Sequence, residues 1–162
     1  MKKVLLILLL LVLAIPFQME AGGKDKDAVP EYTIEGAGTA AQGTYLINVT
    51  VISKDKKITD VDLKRAAVHG VLFKGFSNTE KRQTQKPLAG SMANYAQHAD
   101  FYKDFFAQNG MSKDFCSVIE GSHSVKKVNK MYHFGCTISV NKETLRKFLE
   151  EAGIIKGLNS AF

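Results

Sequence analysis

Six side chains in this sequence carry the groups best suited to chemistry near neutral pH: His69, His98, His123, His133, Cys116 and Cys136. Hydrolysis would need a base held beside a nucleophile, or three protein ligands around a catalytic metal. His123 and His133 flank the connection Lys126-Lys127-Val128-Asn129-Lys130. A three-residue turn centred on Val128 would set the two rings opposite each other across a hairpin. Such a pair can bind a metal, but no third ligand lies nearby, so two exposed strand histidines is the simpler reading. In His98-Ala99-Asp100 the two polar residues are two apart on a helical segment and do not share a face, so they form no dyad. His69 lies off the small-residue stripe of its helix and is expected to be solvated or partly buried.

Both cysteines fall in strand-like stretches, with Cys136 on the apolar face, which favours buried structural thiols. A disulfide is the rival reading in an oxidising compartment. A turn near Val128-Asn129 sets Cys136 against residues 120–123 rather than Cys116. That offset exceeds the roughly 7 Å Cα separation a disulfide tolerates. The sequence holds no G-x-S-x-G elbow, phosphate-binding loop, dinucleotide fingerprint or H-E-x-x-H pair. No catalytic residue, metal site or cofactor is therefore assigned.

The net charge is +6, from 22 Lys and Arg against 16 Asp and Glu. The basic groups are scattered among acids and the aromatics follow core periodicity, which argues against nucleic acid as a partner. Lys81, Arg82 and Lys86 lie in the long aperiodic stretch 77–90, opposed only by Glu80. Such loops are usually functional or mobile. These three residues are the candidate binding surface, for another envelope protein or an acidic surface.

The elements that must position these groups follow from periodicity. Residues 44–53 alternate Tyr45, Ile47, Val49 and Val51 with Leu46, Asn48, Thr50 and Ile52, a half-buried strand, and 32–36 alternates before it. Thr59 with Asp60 and Asp62 caps a helix over 60–74, with Leu63, Ala66, Ala67, Gly70 and Val71 on one face. Gly70 costs roughly 1 kcal/mol inside a helix, so close packing against a sheet is the natural reason for it. A second helix is expected over 91–108, with Tyr95, Ala99, Tyr102 and Phe106 at helical spacing. Strands over 115–125 and 131–140 and a helix over 142–152, with stripe Leu145, Phe148, Leu149 and Ala152, complete the pattern. The order β-β-α-α-β-β-α predicts an α+β two-layer sandwich, an antiparallel sheet with its helices on one face.

The chain opens Met1-Lys2-Lys3, then runs apolar from Val4 to Ile15 before Pro16. A basic start, about 12 apolar residues and small residues beyond make a secretory signal peptide over 1–21. The run is shorter than the roughly 20 residues of a spanning helix. No Cys lies near the junction to carry a lipid anchor. The domain plan is a signal peptide over 1–21, a flexible leader over 22–30 and one α+β domain over 31–162. Export to the periplasm or beyond is expected, with no transmembrane span in the mature chain.

The stretches Lys64-Arg65-Ala66-Ala67-Val68-His69-Gly70-Val71-Leu72-Phe73-Lys74-Gly75-Phe76, Gln85-Lys86-Pro87-Leu88-Ala89-Gly90 and Leu149-Glu150-Glu151-Ala152-Gly153-Ile154-Ile155-Lys156-Gly157-Leu158 resemble a family of uncharacterised secreted proteins from gut-type Bacteroidetes. The element plan also resembles, in topology, small envelope α+β domains of flagellar-assembly and outer-membrane-lipoprotein type. Neither resemblance implies an activity or a site residue. The expected function is that of an exported, non-catalytic interaction module of the envelope or exterior. The alternatives are a subunit of a larger envelope assembly, or a small hydrolytic enzyme with its site near His98, His123 or His133.

Overall fold

Period-two alternation supplies the sheet, and an acid-capped run buried on most of its faces supplies the helix laid across it. The computed structural model describes residues 27–38, 40–78 and 83–157. The expected signal peptide, the leader up to residue 26, Lys81, Arg82 and the end of the tail lie outside the described residues. In chain order the elements are β1 (Tyr32–Gly36), β2 (Thr44–Ser53), α1 (Asp60–Phe73), β3 (Phe76–Asn78) and β4 (Gln83–Gln85). Then come α2 (Met92–Gln97), α3 (Ala99–Phe106), a 3-10 turn (Met111–Phe115), β5 (Cys116–Val118), β6 (Ser124–Val128), β7 (Met131–Asn141) and α4 (Lys142–Glu151).

The main sheet is antiparallel, β1-β2-β7, with β5 and β6 placed end to end along the far side of β7. Val49 faces Cys136 and Val51 faces Phe134 across β2 and β7. Ile47, Val49, Val51, Phe134, Cys136, Ile138 and Val140 are buried together with the helices. The opposite face, with Leu46, Asn48, Thr50, Thr137 and Ser139, carries no fully buried residue. The α+β sandwich with an antiparallel sheet is thus the architecture of the chain.

Helix α1 begins with a capping box: the Thr59 hydroxyl accepts from the Asp62 N–H, and the Asp62 carboxylate accepts from the Thr59 N–H at 2.9 Å. Its small stripe packs where expected. A Cβ on Gly70 would lie 2.6 Å from Ile34 Cδ1 and 3.1 Å from Tyr32 Cε2, so the glycine admits β1 against the helix.

Several expectations are corrected. The stretch 77–90 is not a plain loop: β3 and β4 pair as a short hairpin, tied to the body by the Tyr45–Phe76 ring contact at 5.1 Å and by Asn78 packed against Gly36. Its strands pair only with each other, so polar Gln83-Thr84-Gln85 shows no apolar alternation. The single helix expected over 91–108 is two, broken at His98, whose φ and ψ are −119° and 37°. The strand expected over 115–125 is interrupted: Val118 faces Ile138 but Ser124 faces Gly135, so six steps on one side match three on the other. Ser122 fills the resulting gap, its hydroxyl accepting from the Thr137 N–H at 3.0 Å. The last turn is the two-residue Asn129-Lys130, with φ of 49° and 67°, the geometry whose twist suits a tight hairpin. Ala152, assigned to the buried stripe of α4, is exposed because the helix ends at Glu151.

Candidate functional site

The residues expected to carry chemistry do not converge. His133 lies opposite Lys126, not His123, because the turn has two residues rather than three. The exposed His123 instead places Nε2 3.0 Å from Asp60 Oδ1 at the start of α1. His98 lies at the α2–α3 break and lines a separate cavity with Arg146 and Lys156. Lys86 is exposed just beyond β4. Cys116 and Cys136 are buried free thiols on different neighbours, Val140 and Val49. Burial pushes them up to about 12 and about 11 respectively, far from a reactive thiolate. No group of three His, Cys, Asp or Glu side chains among the described residues is placed to hold a metal ion.

The concentration of chemistry lies elsewhere, between β1, α1 and α3. Tyr32 is the first residue of β1 and points inward; His69 immediately precedes Gly70 on α1. Because Gly70 has no Cβ, Tyr32 reaches the helix and its hydroxyl lies 2.6 Å from His69 Nδ1. Burial raises the Tyr32 phenol above its ordinary value, so it keeps its proton. Burial, aided by the nearby Lys74 ammonium, holds His69 down to about 4, so the imidazole is neutral at pH 7. The phenol is the stronger acid of these two neutral groups and is assigned as the donor; the imidazole proton then sits on Nε2.

Aromatic rings surround this pair. His69 is 5.0 Å from Phe73, 5.2 Å from Phe106 and 6.0 Å from Tyr95, centroid to centroid. Tyr95 and Tyr102 stack at 5.1 Å with their planes 6° apart, one from α2 and one from α3. The Tyr102 hydroxyl donates to Asn94 Oδ1 at 2.7 Å, and the Asn94 amide donates to the Ile154 carbonyl at 2.9 Å. That chain of bonds ties the stacked tyrosines to the residues after α4.

Tyr32, His69, Tyr95, Tyr102 and Phe106 line one side of an open cavity of about 470 Å³. At its edge Lys74 donates to the Tyr32 carbonyl at 3.0 Å and stands 3.8 Å above the Tyr32 ring centroid. Lys103 and Met92 line the mouth, and Met92 is 53% exposed.

The remaining wall is the chain segment 27–31, which crosses from α3 to β1 and also borders a second cavity of about 580 Å³. From Asp27 onward the expected leader is pinned. Arg65, only 1% exposed, donates to the carbonyls of Asp27 and Phe106, and the Gln108 N–H donates to Asp27 Oδ1 at 3.0 Å. Asp62 stands 3.5 Å from Arg65 and accepts from Gln108 at 3.1 Å. Burial raises the Asp62 carboxyl, but its bonds from Thr59 and Gln108 and the Arg65 charge outweigh that and hold it below the usual carboxylate range.

Sequence reading missed this site. Its only signals were a His beside a helix-interior Gly and a Tyr at the inward start of a strand. Pairing residues 37 positions apart required the register of β1 on α1. No family model, no curated protein and no solved structure matches the chain. No helix among the described residues is long and apolar enough to cross a membrane.

Proposed function

We propose that this chain is an exported, non-catalytic interaction module whose binding site is the Tyr32–His69 cavity. The observation that carries the reading is the cavity's make-up: an aromatic lining, a neutral imidazole fixed by a phenol, and lysine ammonium groups at the edge. A concave, mostly apolar site with a few placed polar groups is the ordinary form of a small-ligand pocket. No Ser, Thr or Cys among the described residues lines it, and the two thiols lie in the sheet core. Export rests on the basic start and apolar run of residues 1–21.

Support for the non-catalytic reading also comes from the separation of His98, His123 and His133, where the hydrolytic alternative placed its site. The reading as a subunit of an envelope assembly draws on one specific observation. Edge strand β6 is exposed throughout, with Val125 60% and Val128 46% accessible beside Lys126 and Lys127.

Two measurements test the proposal. Intact mass of the exported protein should show loss of about the first 21 residues; full-length chain in the exported fraction would refute export. A small-molecule screen read by NMR should move the resonances of Tyr32, His69 and Tyr95 together. Hits that shift only distant residues would refute the site.

A further inference from the structure

Resting on the reading of the Tyr32–His69 cavity as the binding site, we propose that its ligand is a flat aromatic acid. The ring would lie among the aromatic side chains, and the carboxylate would sit between Lys74 and the His69 Nε2–H.

Shape argues for the ring. Tyr95 lines the cavity partly exposed and is backed by the parallel ring of the fully buried Tyr102, whose hydroxyl is held by Asn94, so the Tyr95 ring is fixed before any ligand arrives. His69 and Phe73 meet Tyr95 edge-on, at 61° and 73° between planes. A fixed, partly exposed aromatic ring suits a planar guest, which aromatic side chains take offset-stacked or edge-to-face. A volume of about 470 Å³ has room for a bicyclic ring with a short side chain.

Charge argues for the acid. The Lys74 ammonium is already held by the Tyr32 carbonyl and the Tyr32 ring, which spends one of its three donors and leaves two. It lies near enough to His69 for its charge to act on the imidazole. With Nδ1 taken by Tyr32, the remaining imidazole donor is Nε2–H, so two donors on adjacent groups call for one acceptor. Lys103 adds a second cation at the mouth. Two carboxylates also border the cavity, Asp27 and Glu31, both on the 27–31 segment. Asp27 is occupied by the Gln108 N–H, and Glu31 is exposed.

The test uses indole-3-acetate, indole and tryptamine as probes at pH 7 with the purified protein. The chain contains no Trp, so indole emission reports the probe alone. Indole-3-acetate should bind with the tightest Kd, and tryptamine should bind about tenfold more weakly or worse, as a charge-assisted bond replaced by a like charge implies. Lys74→Gln should cost the acid about tenfold and indole far less. The substitution also removes the bond from Lys74 to the Tyr32 carbonyl and its contact with the Tyr32 ring, so a small drop in melting temperature is expected beside the loss of acid binding. Tyr95→Ala should weaken all three probes; Lys103→Gln should weaken only the acid, by a smaller factor.

Tryptamine binding as tightly as the acid, or Lys74→Gln leaving the acid's Kd unchanged, would overturn the assignment of an acid. In either case shifts at Tyr32, His69 and Tyr95 would leave the cavity standing as a binding site. If none of the three probes moves those resonances, both the cavity reading and the proposal fall.

Discussion

Acidification should destabilise this fold through His69. An ordinary histidine titrates near 6.5, and the folded environment holds His69 down to about 4. As pH falls below 6.5 the unfolded chain takes up a proton that the folded chain refuses, so the unfolded state gains. The loss accumulates between pH 6.5 and 4 and stops growing below 4, where the folded imidazole protonates too. With 1.36 kcal/mol per pH unit, the full span is worth about 3 kcal/mol. That is a large share of the 5–15 kcal/mol typical of a domain. The assay is urea unfolding followed by circular dichroism at pH 7, 6, 5 and 4, for the wild type and for His69→Gln. Glutamine keeps an acceptor for the Tyr32 hydroxyl but does not titrate. The wild type should lose about 3 kcal/mol more than the variant between pH 7 and 4. Asp62, held below its usual value, loses its contribution as pH falls through the carboxylate range, equally in both proteins, so the difference isolates His69. Parallel stability curves for the two proteins across this range would refute the reasoning.

Arg65→Met should cost about 3 kcal/mol or more, because the carbonyls of Asp27 and Phe106 lose their buried donor; urea midpoints indistinguishable from wild type would show that the segment 27–31 is not pinned there. Gly75→Ala should destabilise more than Gly90→Ala. Both glycines have positive φ, but a Cβ at 75 would meet the Gln85 carbonyl while one at 90 has open space. The expected costs are about 3 and about 1 kcal/mol, and equal melting temperatures would contradict that reading. Cys116 and Cys136 should resist a thiol-specific disulfide reagent at pH 8 and react promptly in urea; fast release of one equivalent from native protein would count against the buried placement. Lys130→Gly should raise stability by roughly 1 kcal/mol, since φ at 130 is 67° and the turn prefers Asn-Gly; a lower melting temperature would argue against a two-residue turn.

Patterns with a short period are legible in the sequence alone. The alternation in 44–53 and 131–140 specifies which face each strand buries, because side chains on a strand alternate strictly. The Thr59–Asp62 cap and the small stripe ending at Gly70 likewise specify where α1 starts and which face meets the sheet. These are decisions made within a few residues, by local sterics and burial. The β3–β4 hairpin carries no such signal, since its polar strands take their order from Tyr45, Phe76 and Gly36 rather than from each other. The break at His98 is equally hidden, because the Tyr95, Tyr102 and Phe106 spacing reads the same for one helix or two. The three-residue detour between β5 and β6 rests on Ser122 bonding the Thr137 backbone, a contact across 15 positions. The candidate site belongs wholly to this second kind. Tyr32, His69, Lys74, Tyr95 and Tyr102 come from β1, from α1 and its end, and from two separate helices, and none of them is singled out as a ligand-binding residue by spacing. What brings them together is the docking of β1 on α1 at Gly70 and the anchoring of segment 27–31 by Arg65. Both are long-range contacts whose energy comes from burial, and burial is a property of the assembled chain rather than of any window along it.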